Sequence, residues 1–335
     1  MSDRVTMADV AREVGVSMMT VSRVVNDKGD VSDATRNRVL AAIERLGYRP
    51  SSIARGLATR RTGTLGLVVP DVANPFFAEL ARGAEQVAYA EGYNVFLCNT
   101  DEDPGRELDM VNSLEEKRVD GIVLCSSRLD SDDLRAVVDA HPAAVLVNRR
   151  LNGSGGQVPA VLVDDVMGGR LATDHLVRQG HRAIGLLSGP QGSRSGRCRL
   201  QGYQAVLVEA GITPEDGWVV SCGPVADAGR DAAMGLLHQH PELTALVCYN
   251  DLVAVGVLRA ADELSLKVPA DLAVVGFDDI PLAALVTPAL TTCHITRSEL
   301  GARAVGLLLD QIRDPGARPE EITLEPRLII RQSAP

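Results

Sequence analysis

The chain has 335 residues and a formal net charge of −10. This length exceeds that of a typical single domain of about 100 to 200 residues and predicts two or three folding units. No apolar run approaches the roughly 20 residues that cross a membrane, and the amino-terminal stretch lacks the apolar core of a secretion signal. The six cysteines form no Cys-x-x-Cys pair, which argues against disulfides and cysteine metal sites. We therefore expect a soluble cytoplasmic protein with no membrane partner, no metal and no cofactor.

The charge is unevenly distributed along the chain. Residues 1–61 carry a net charge of +4, whereas the remainder carries −14. A basic segment on an acidic body is typical of a domain that meets a polyanion, because neutralising phosphates supplies most non-specific affinity for nucleic acid. Chance clustering of surface arginines explains the same charge equally well, so charge alone leaves both interpretations open.

Local signals predict three short helices in the basic segment. The expected N-caps are Thr6, Ser17 and Ser32, and the glycines expected to end the first and third helices are Gly15 and Gly47. Apolar residues recur at helical spacing and are predicted to share one small core: Val10, Ala11, Val14, Val21, Val24, Val25, Val39, Leu40, Ile43 and Leu46. The first two helices, joined by a short turn, are typical of a helix-turn-helix.

The face of the second helix opposite this core carries groups that can read DNA. Arg23 can pair with a guanine edge, Met19 can contact a thymine methyl, and hydroxyls near helix N-termini can bind phosphates. Met18 fits either the core or a base contact. The candidate DNA-binding residues of this segment are Thr6, Ser17, Met18, Met19, Thr20, Ser22, Arg23, Asn26, Ser32 and Thr35.

From Thr64 onward, nine β-branched, apolar runs alternate with amphipathic helical stretches, which predicts parallel α/β structure. Ligands of such sheets bind outside the carboxyl ends of the strands. Polar residues follow these runs, and for many of them, taken singly, helix N-capping is the better explanation. They include Asp71, Asp101, Asn148, Arg149, Asn250 and Asp278.

Several motifs in order resemble the LacI family of bacterial transcriptional regulators. They include "VTMADVAREVGVSMMTVSRVVND", "NPFFAEL", "GGRLATDHLVRQGHR", "NDLVAVGVLRA" and "VVGFDD". The resemblance implies an all-α helix-turn-helix head and an α/β effector domain of the periplasmic-binding-protein type with two doubly wound subdomains. The implied segments are a head at 1–49, a hinge at 50–62 and an effector and dimerisation domain at 63–335, with subdomains of about 63–163 plus 295–323 and 164–292 plus 324–335.

The family resemblance also implies a function and a mechanism. We expect a sequence-specific regulator, more a repressor than an activator, that binds pseudo-palindromic operator DNA as a homodimer. A small sugar or sugar derivative would control operator affinity. In the hinge, Leu57 occupies the position of the leucine that wedges into the minor groove, Arg55 would lie near the DNA backbone, and Gly56 departs from the usual polar residue.

The resemblance assigns seven residues to the effector cleft: Phe76, Phe77, Asn148, Arg149, Arg199, Asn250 and Asp278. The strand-end argument adds Asp71 and Asp101. Asn148 stands where many members have aspartate, and the stretch "SCGPVAD" contains no aromatic residue where several members have one. These departures favour a ligand that is smaller or more anionic than a simple hexose.

An enzyme and a solute-binding protein are the two alternatives to a regulator. An enzyme is disfavoured because the chain contains no phosphate-binding loop, no His-Glu-x-x-His and no nucleophile elbow, and its six histidines are scattered. A solute-binding protein would account for the body alone. The basic head and the missing secretion signal argue against it, and specific binding of duplex DNA separates the two possibilities.

Overall fold

The computed structural model describes residues 5–26, 29–48, 61–151 and 158–335. The chain divides into two compact units, Met1–Gly63 and Thr64–Pro335. Within the described ranges, none of the helices combines the length and the apolarity required for a membrane span.

The first unit contains three helices, α1 (Met7–Val14), α2 (Met18–Val25) and α3 (Asp33–Leu46). Each begins at its predicted N-cap. The hydroxyl of Thr6 accepts the Asp9 N–H, and the Asp9 carboxylate accepts the Thr6 N–H at 2.9 Å, which forms a capping box. The hydroxyls of Ser17 and Ser32 accept N–H groups of α2 and α3 in the same way, and Gly15 and Gly47 are left-handed at the ends of α1 and α3.

The core of this unit largely matches its predicted composition. Its buried residues are Val10, Ala11, Val14, Val21, Val24, Val39, Ala42 and Tyr48, and Val25, Ile43 and Leu46 pack at the edge. The prediction for Leu40 is wrong, because 48% of its surface is exposed. Leu40 lies about 100° around the helix from buried Val39, and Ala42 occupies the inward position instead.

The second unit contains two six-stranded sheets. The first has the strand order β11-β5-β4-β3-β1-β2, with all neighbours parallel. Helices α4 and α11 cover one face and α5 and α6 the other. The elements are β1 (Thr64–Val69), α4 (Pro75–Ala90), β2 (Asn94–Asn99), α5 (Pro104–Glu116), β3 (Gly121–Cys125), α6 (Ser131–Ala140), β4 (Ala144–Val147), β5 (Ala160–Val163), α11 (Arg297–Arg313) and β11 (Glu321–Leu324).

The second sheet has the order β12-β10-β9-β8-β6-β7, and only β12 runs antiparallel to its neighbour. Helices α7 and α8 pack on one face and α9 and α10 on the other. The elements are α7 (Asp165–Arg178), β6 (Ile184–Leu187), α8 (Arg194–Glu209), β7 (Val219–Val220), α9 (Ala226–Gln239), β8 (Ala245–Cys248), α10 (Asp251–Glu263), β9 (Ala273–Asp278), a 3₁₀ turn (Pro281–Ala284), β10 (Thr291–His294) and β12 (Arg327–Ile329).

All nine predicted strands are present as β1 to β9, and the sequence reasoning missed β10, β11 and β12. Strand β11 alternates exposed and half-buried positions, and β12 spans three residues at a sheet edge, so neither contains an apolar run. Strand β10 is buried but reads Thr-Thr-Cys-His. The Thr291 hydroxyl donates to the Ala334 carbonyl at 2.8 Å. The fold therefore satisfies the polar side chain of Thr291, but a polar sequence of this kind does not predict a buried strand.

Three helix pairs approach each other at reciprocal glycines, where the partner backbone fills the space of a Cβ atom. A Cβ on Gly301 of α11 would lie 2.0 Å from the Leu80 carbonyl oxygen of α4, and one on Gly83 would lie 2.0 Å from the Ser298 oxygen. The same arrangement joins α7 to α8 through Gly169 and Gly202, and α9 to α10 through Gly229 and Gly256. Close backbone contact therefore fixes how these helices pack on both sheets.

Two glycines of α11 provide a matched test of this packing. Gly301→Ala should destabilise the second unit by about 1 to 3 kcal/mol, because the new methyl group collides with backbone. Gly306 has no atom within 4 Å of its Cβ position, so Gly306→Ala should be neutral or stabilising by up to about 1 kcal/mol. Urea unfolding followed by circular dichroism measures both, and equal effects would contradict the packing argument.

Candidate functional site

The outward face of α2 is a continuous exposed surface. Met18 and Met19 are 57% and 66% exposed, and Arg23 is exposed beside them. This excludes Met18 from the core and places it on the same surface as Met19. Arg23 makes no hydrogen bond or ion pair with any described residue. Its guanidinium is therefore available to a base edge or a phosphate.

Other candidate DNA-binding side chains in this unit engage one another at helix termini. The Ser17 and Thr20 hydroxyls lie 2.9 Å apart, and the Asn26 amide donates to the Ser22 carbonyl at 2.8 Å. Ser32 and Thr35 form the corresponding hydroxyl pair at the start of α3, at 3.0 Å, and Thr6 belongs to the capping box of α1. These contacts give each residue a structural role besides the predicted one.

Some arginines of this unit form contacts within the unit. Arg38 donates to the Val14 carbonyl at the end of α1, and Arg45 forms an ion pair with Glu13 across α3 and α1. These arginines hold α3 against α1. Part of the positive charge that indicated a polyanion partner therefore stabilises the unit itself. The exposed Arg23 makes no such internal contact. Arg55 and Leu57 lie outside the described residues, so their roles in the hinge stay predictions.

The second unit contains a cavity of about 370 Å³ at the carboxyl ends of strands from both sheets. Ser126 and Asn148 directly follow β3 and β4, Tyr249 and Asn250 follow β8, and Asp278 ends β9. The cavity is lined by Asn74, Phe76, Phe77, Glu102, Ser126, Arg128, Asn148, Ser195, Arg199, Pro224, Tyr249, Asn250 and Asp278. Such a crevice between two sheets is the usual ligand site of open α/β folds.

Two phenylalanines form the apolar wall of this cavity. Asn74 caps α4 by accepting the Phe76 N–H at 2.9 Å, and Pro75 occupies the first helical position. This start directs Phe76 and Phe77 inward, where both are buried and pack edge to face with ring centroids 5.0 Å apart. An aromatic wall suits the apolar face of a sugar ring.

Arg199 forms the charged floor of the cavity and is fully engaged by the protein. Its Nε donates to the Asp165 carboxylate at 2.9 Å, and the guanidinium also donates to the Tyr249 carbonyl. The guanidinium carbon lies 3.4 Å from the Phe277 ring centroid. Burial lowers the pKa of Arg199, but the carboxylates of Asp165 and Asp278 outweigh burial and raise it overall. The charge is thus balanced within the fold.

Asp278 lies opposite this arginine with a positive φ of 106° and a buried carboxyl group. Burial raises the pKa of Asp278 to about 7, although Arg199 and Arg297 act in the other direction. Behind it, Asp251 accepts the Thr292 hydroxyl at 2.6 Å, and burial and the neighbouring Asp278 raise the pKa of Asp251 well above its ordinary value. One carboxyl group of the cavity lining and one directly behind it therefore resist ionisation.

The sequence reasoning missed Arg128 and Tyr249. Arg128 donates to the Glu102 carboxylate at 2.5 Å through Nε, and its backbone N–H donates to Glu107 at 2.8 Å. The Tyr249 hydroxyl lies 3.0 Å from the Ser193 hydroxyl. Tyr249 was predicted as the last residue of a strand, and Arg128 lies two residues beyond Ser126, the first polar residue after β3.

Asp71 and Asp101 do not line this cavity, and their assignment to the effector site stays a prediction. Asp71 accepts the Ala73 N–H at 2.8 Å and shapes the turn before α4. Asp101 is exposed and lies 3.7 Å from the Arg106 guanidinium. Both loops bend after their strands, so the next residue along the chain, Glu102, reaches the cavity in place of Asp101.

Arg149 also lies outside the cavity lining, and its effector role stays a prediction. Its guanidinium donates to the Leu129 carbonyl at 2.8 Å, and its buried Nε has no hydrogen-bond partner among the described residues. Asn148 has a positive φ of 54°, and this turn directs Asn148 and Arg149 differently. The six other expected residues, Phe76, Phe77, Asn148, Arg199, Asn250 and Asp278, line the cavity together.

The architecture defines a helix-turn-helix unit and a two-sheet ligand-binding unit of the periplasmic-binding-protein type. Residues 6–51 match the family described as bacterial regulatory proteins, lacI family, and residues 62–332 match periplasmic binding proteins and sugar binding domain of LacI family. The chain belongs to the LacI family of bacterial regulatory proteins. The predicted fold class and family are confirmed.

Relatives and solved structures agree with this assignment over nearly the whole chain. The ribose operon repressor of Escherichia coli (strain K12) is 38% identical over 329 residues, which cover 98% of this chain and 99% of the relative. The lac repressor dimer bound to operator and the anti-inducer ONPF has a TM-score of 0.89 at 30% identity, with 99% of each chain covered. A complex of the transcriptional regulator CelR with cellobiose has a TM-score of 0.75 at 34% identity and covers 98% of this chain and 100% of that chain.

The raised pKa of Asp278 predicts a pH-dependent stability. Between about pH 4 and pH 7 the folded protein holds a proton that the unfolded chain has released, so this contribution is lost as pH rises through 7. The Asp278→Asn variant has no carboxyl group to titrate at this position. Its free energy of unfolding should therefore rise relative to that of the parent protein as pH is raised from about 5 to about 8. Urea unfolding at several pH values measures this. Asp71→Asn, outside the cavity, is the control, and parallel curves for the parent and Asp278→Asn would refute the expectation.

Proposed function

We propose that the chain is a sequence-specific transcriptional repressor whose operator affinity is set by a small, neutral, polyhydroxylated effector bound in the cavity. Among similar proteins, the lac repressor is a dimer bound to operator, and the regulator CelR forms a complex with cellobiose. Relatives of this chain are transcriptional repressors. The helix-turn-helix match over residues 6–51 favours this function over a solute-binding protein, which has no use for a DNA-binding unit. We infer action in the cytoplasm, where operator DNA lies, and no enzymatic reaction.

The observation that carries the effector class is the pairing of both cavity arginines. Arg199 is neutralised by Asp165 and Arg128 by Glu102. A free guanidinium is what a phosphate or carboxylate group requires, since charge-assisted pairs supply most of its affinity. Paired cations instead offer N–H donors to hydroxyl groups without excess charge. The sequence left open a ligand smaller than a simple hexose or one more anionic than it. The paired arginines favour the smaller ligand over the anionic one.

The lining of the cavity supports the same class of ligand. An aromatic wall faces hydroxyl, amide and carboxyl groups across the cavity. Asn148 and Asn250 are positioned by the backbone groups they bind, since Asn148 accepts the Val163 N–H and Asn250 donates to the Pro224 carbonyl. A monosaccharide or a polyol fits these features.

Exposed apolar side chains on the first sheet are candidates for the dimer interface. Phe96 and Leu97 lie on the edge strand β2, and Tyr89 lies at the end of α4 directly before it. About half of each β2 side chain and most of the Tyr89 side chain are exposed. An edge strand with exposed apolar residues needs cover. We propose that a second copy of the chain covers this edge.

For the DNA contact, Arg23→Ala should cost about 1 to 3 kcal/mol in operator affinity and relax the preference at one base pair of each half-site. The operator is first selected from a random pool of duplexes, and binding is then measured by fluorescence anisotropy on single-base variants. Arg12→Ala is the matched control, because Arg12 is an exposed arginine of α1 that pairs with Asp9. Equal weakening on all duplexes would instead make Arg23 a phosphate contact.

For the effector, calorimetric titration should show binding of a neutral sugar or polyol and weaker binding of the matching sugar acid or sugar phosphate. Asp278→Asn should weaken the bound sugar by at least about tenfold at pH 8, since a charge-assisted hydrogen bond contributes roughly 1.5 to 3 kcal/mol. Asp71→Asn should leave affinity unchanged. Tighter binding of the anionic ligands would overturn the proposed class.

Coupling between the two sites is tested with the same ligand. If the sugar changes operator affinity by some factor, the operator must change sugar affinity by that factor, because linkage is reciprocal. Anisotropy with and without sugar gives one value, and calorimetry with and without operator gives the other. A factor of one for every ligand that binds the cavity would contradict allosteric control and leave DNA binding itself intact.

A further inference from the structure

Three potential metal ligands meet on the second sheet's outer edge, away from the effector cavity. Glu215 lies in the turn before β7, His240 directly follows α9, and Glu242 lies two residues later, before β8. One ligand atom from each lies within 4.8 Å of the others. The sequence predicted no metal site, because Glu215 and His240 lie 25 positions apart and give no local signal.

The donors and their charges match a divalent transition metal. One imidazole nitrogen and two carboxylate oxygens form a donor set that suits Zn²⁺, whereas Mg²⁺ and Ca²⁺ prefer oxygen alone. Among the described residues, no lysine or arginine forms an ion pair with Glu215 or Glu242. The Glu215 carboxylate has no hydrogen-bond partner there either.

The surrounding contacts hold two of the ligands in place before any ion binds. The Glu242 carboxylate accepts the Trp218 indole N–H at 3.0 Å and lies 3.1 Å from His240 Nδ1. Its own backbone N–H, followed by the Trp218 indole, lowers the pKa of Glu242 and favours the ionised form. Gly217 has a φ of +95°, and a Cβ there would lie 2.7 Å from His240 Nε2, so only glycine leaves room for this ring.

We propose that Glu215, His240 and Glu242 bind a Zn²⁺ ion that joins the turn before β7 to the connection between α9 and β8. Strand β7 has two residues and forms the edge of its sheet. The chain after β7 reaches Pro224 in the effector cavity. An ion at the start of this strand would therefore stabilise the outermost wall of the second sheet.

Trp218 is the only tryptophan in the chain and reports directly on this site. Full-length protein freed of metal with a chelator is titrated with zinc sulfate while Trp218 emission is followed, and calorimetry gives the stoichiometry. We expect a saturable change at one ion per chain and none with magnesium sulfate. Absence of a saturable change with zinc would overturn the proposal.

Matched variants separate this cluster from other zinc-binding groups. Glu215→Gln and His240→Asn should each weaken zinc at least about tenfold, because even supporting residues of metal sites contribute 10- to 100-fold. Asp216→Asn and His238→Asn replace neighbouring exposed residues outside the cluster and should bind as the parent does. Circular dichroism without zinc checks that all four variants fold. Unchanged affinity in the first pair, or equal loss in all four, would place zinc elsewhere, for example on the cysteines, and refute the site.

Discussion

The ion pair between Arg199 and Asp165 is the interaction on which the ligand-binding unit most depends. A buried guanidinium is tolerated only when its charge and its N–H groups are satisfied, and removing one partner of a buried pair costs about 3 to 5 kcal/mol. Here one arginine of α8 contacts α7 through Asp165, the end of β8 through the Tyr249 carbonyl, and β9 through the Phe277 ring. Four elements of the second sheet therefore meet at a single side chain beneath the cavity. The same pairing leaves the floor without excess positive charge, so the stability of the fold and the proposed preference for a neutral ligand have one physical origin.

Arg23 of the first unit and the cavity arginines of the second unit are used in opposite ways, which fits the different ligands proposed for the two units. In the cavity, Arg199 and Arg128 are committed to carboxylates, whereas on α2 the exposed Arg23 is engaged by no described residue. A polyanion recruits the unpaired cation, and a neutral ligand is held by donors whose charge is already balanced. The cavity also takes its lining from the strand ends of both sheets. A ligand that contacts both sheets favours one of their relative placements, which is the property that a switch on operator affinity requires.

Local sequence rules predicted a large part of the fold. They failed where the position of a residue depends on the three-dimensional path of the chain. Caps such as Thr6 and the nine apolar strands depend on neighbouring residues, so the sequence shows them. The sequence did not show strand β10, because partners distant in sequence satisfy the side chains of Thr291 and Thr292. Six of nine expected effector residues line the cavity, but strand-end counting could not foresee how each loop turns, so it chose Asp101 over Glu102 and overlooked Arg128. The Glu215, His240 and Glu242 cluster likewise arises only from tertiary structure.

Backbone strain gives independent support for the position of the functional site. Non-glycine residues with positive φ are uncommon and cost of order 1 to 3 kcal/mol each, and they concentrate where function over-determines the backbone. Six of the nine in the described residues follow or end strands at the cavity edge: Asp101, Glu102, Ser126, Asn148, Asp278 and Asp279. Four of these line the cavity itself. A sequence selected for stability alone would place glycine at these turns and keep Asp251 and Asp278 out of the interior. The free-energy cost of strained backbone and buried carboxyl groups is therefore concentrated around one cavity. There, the strained turns direct polar side chains toward a ligand.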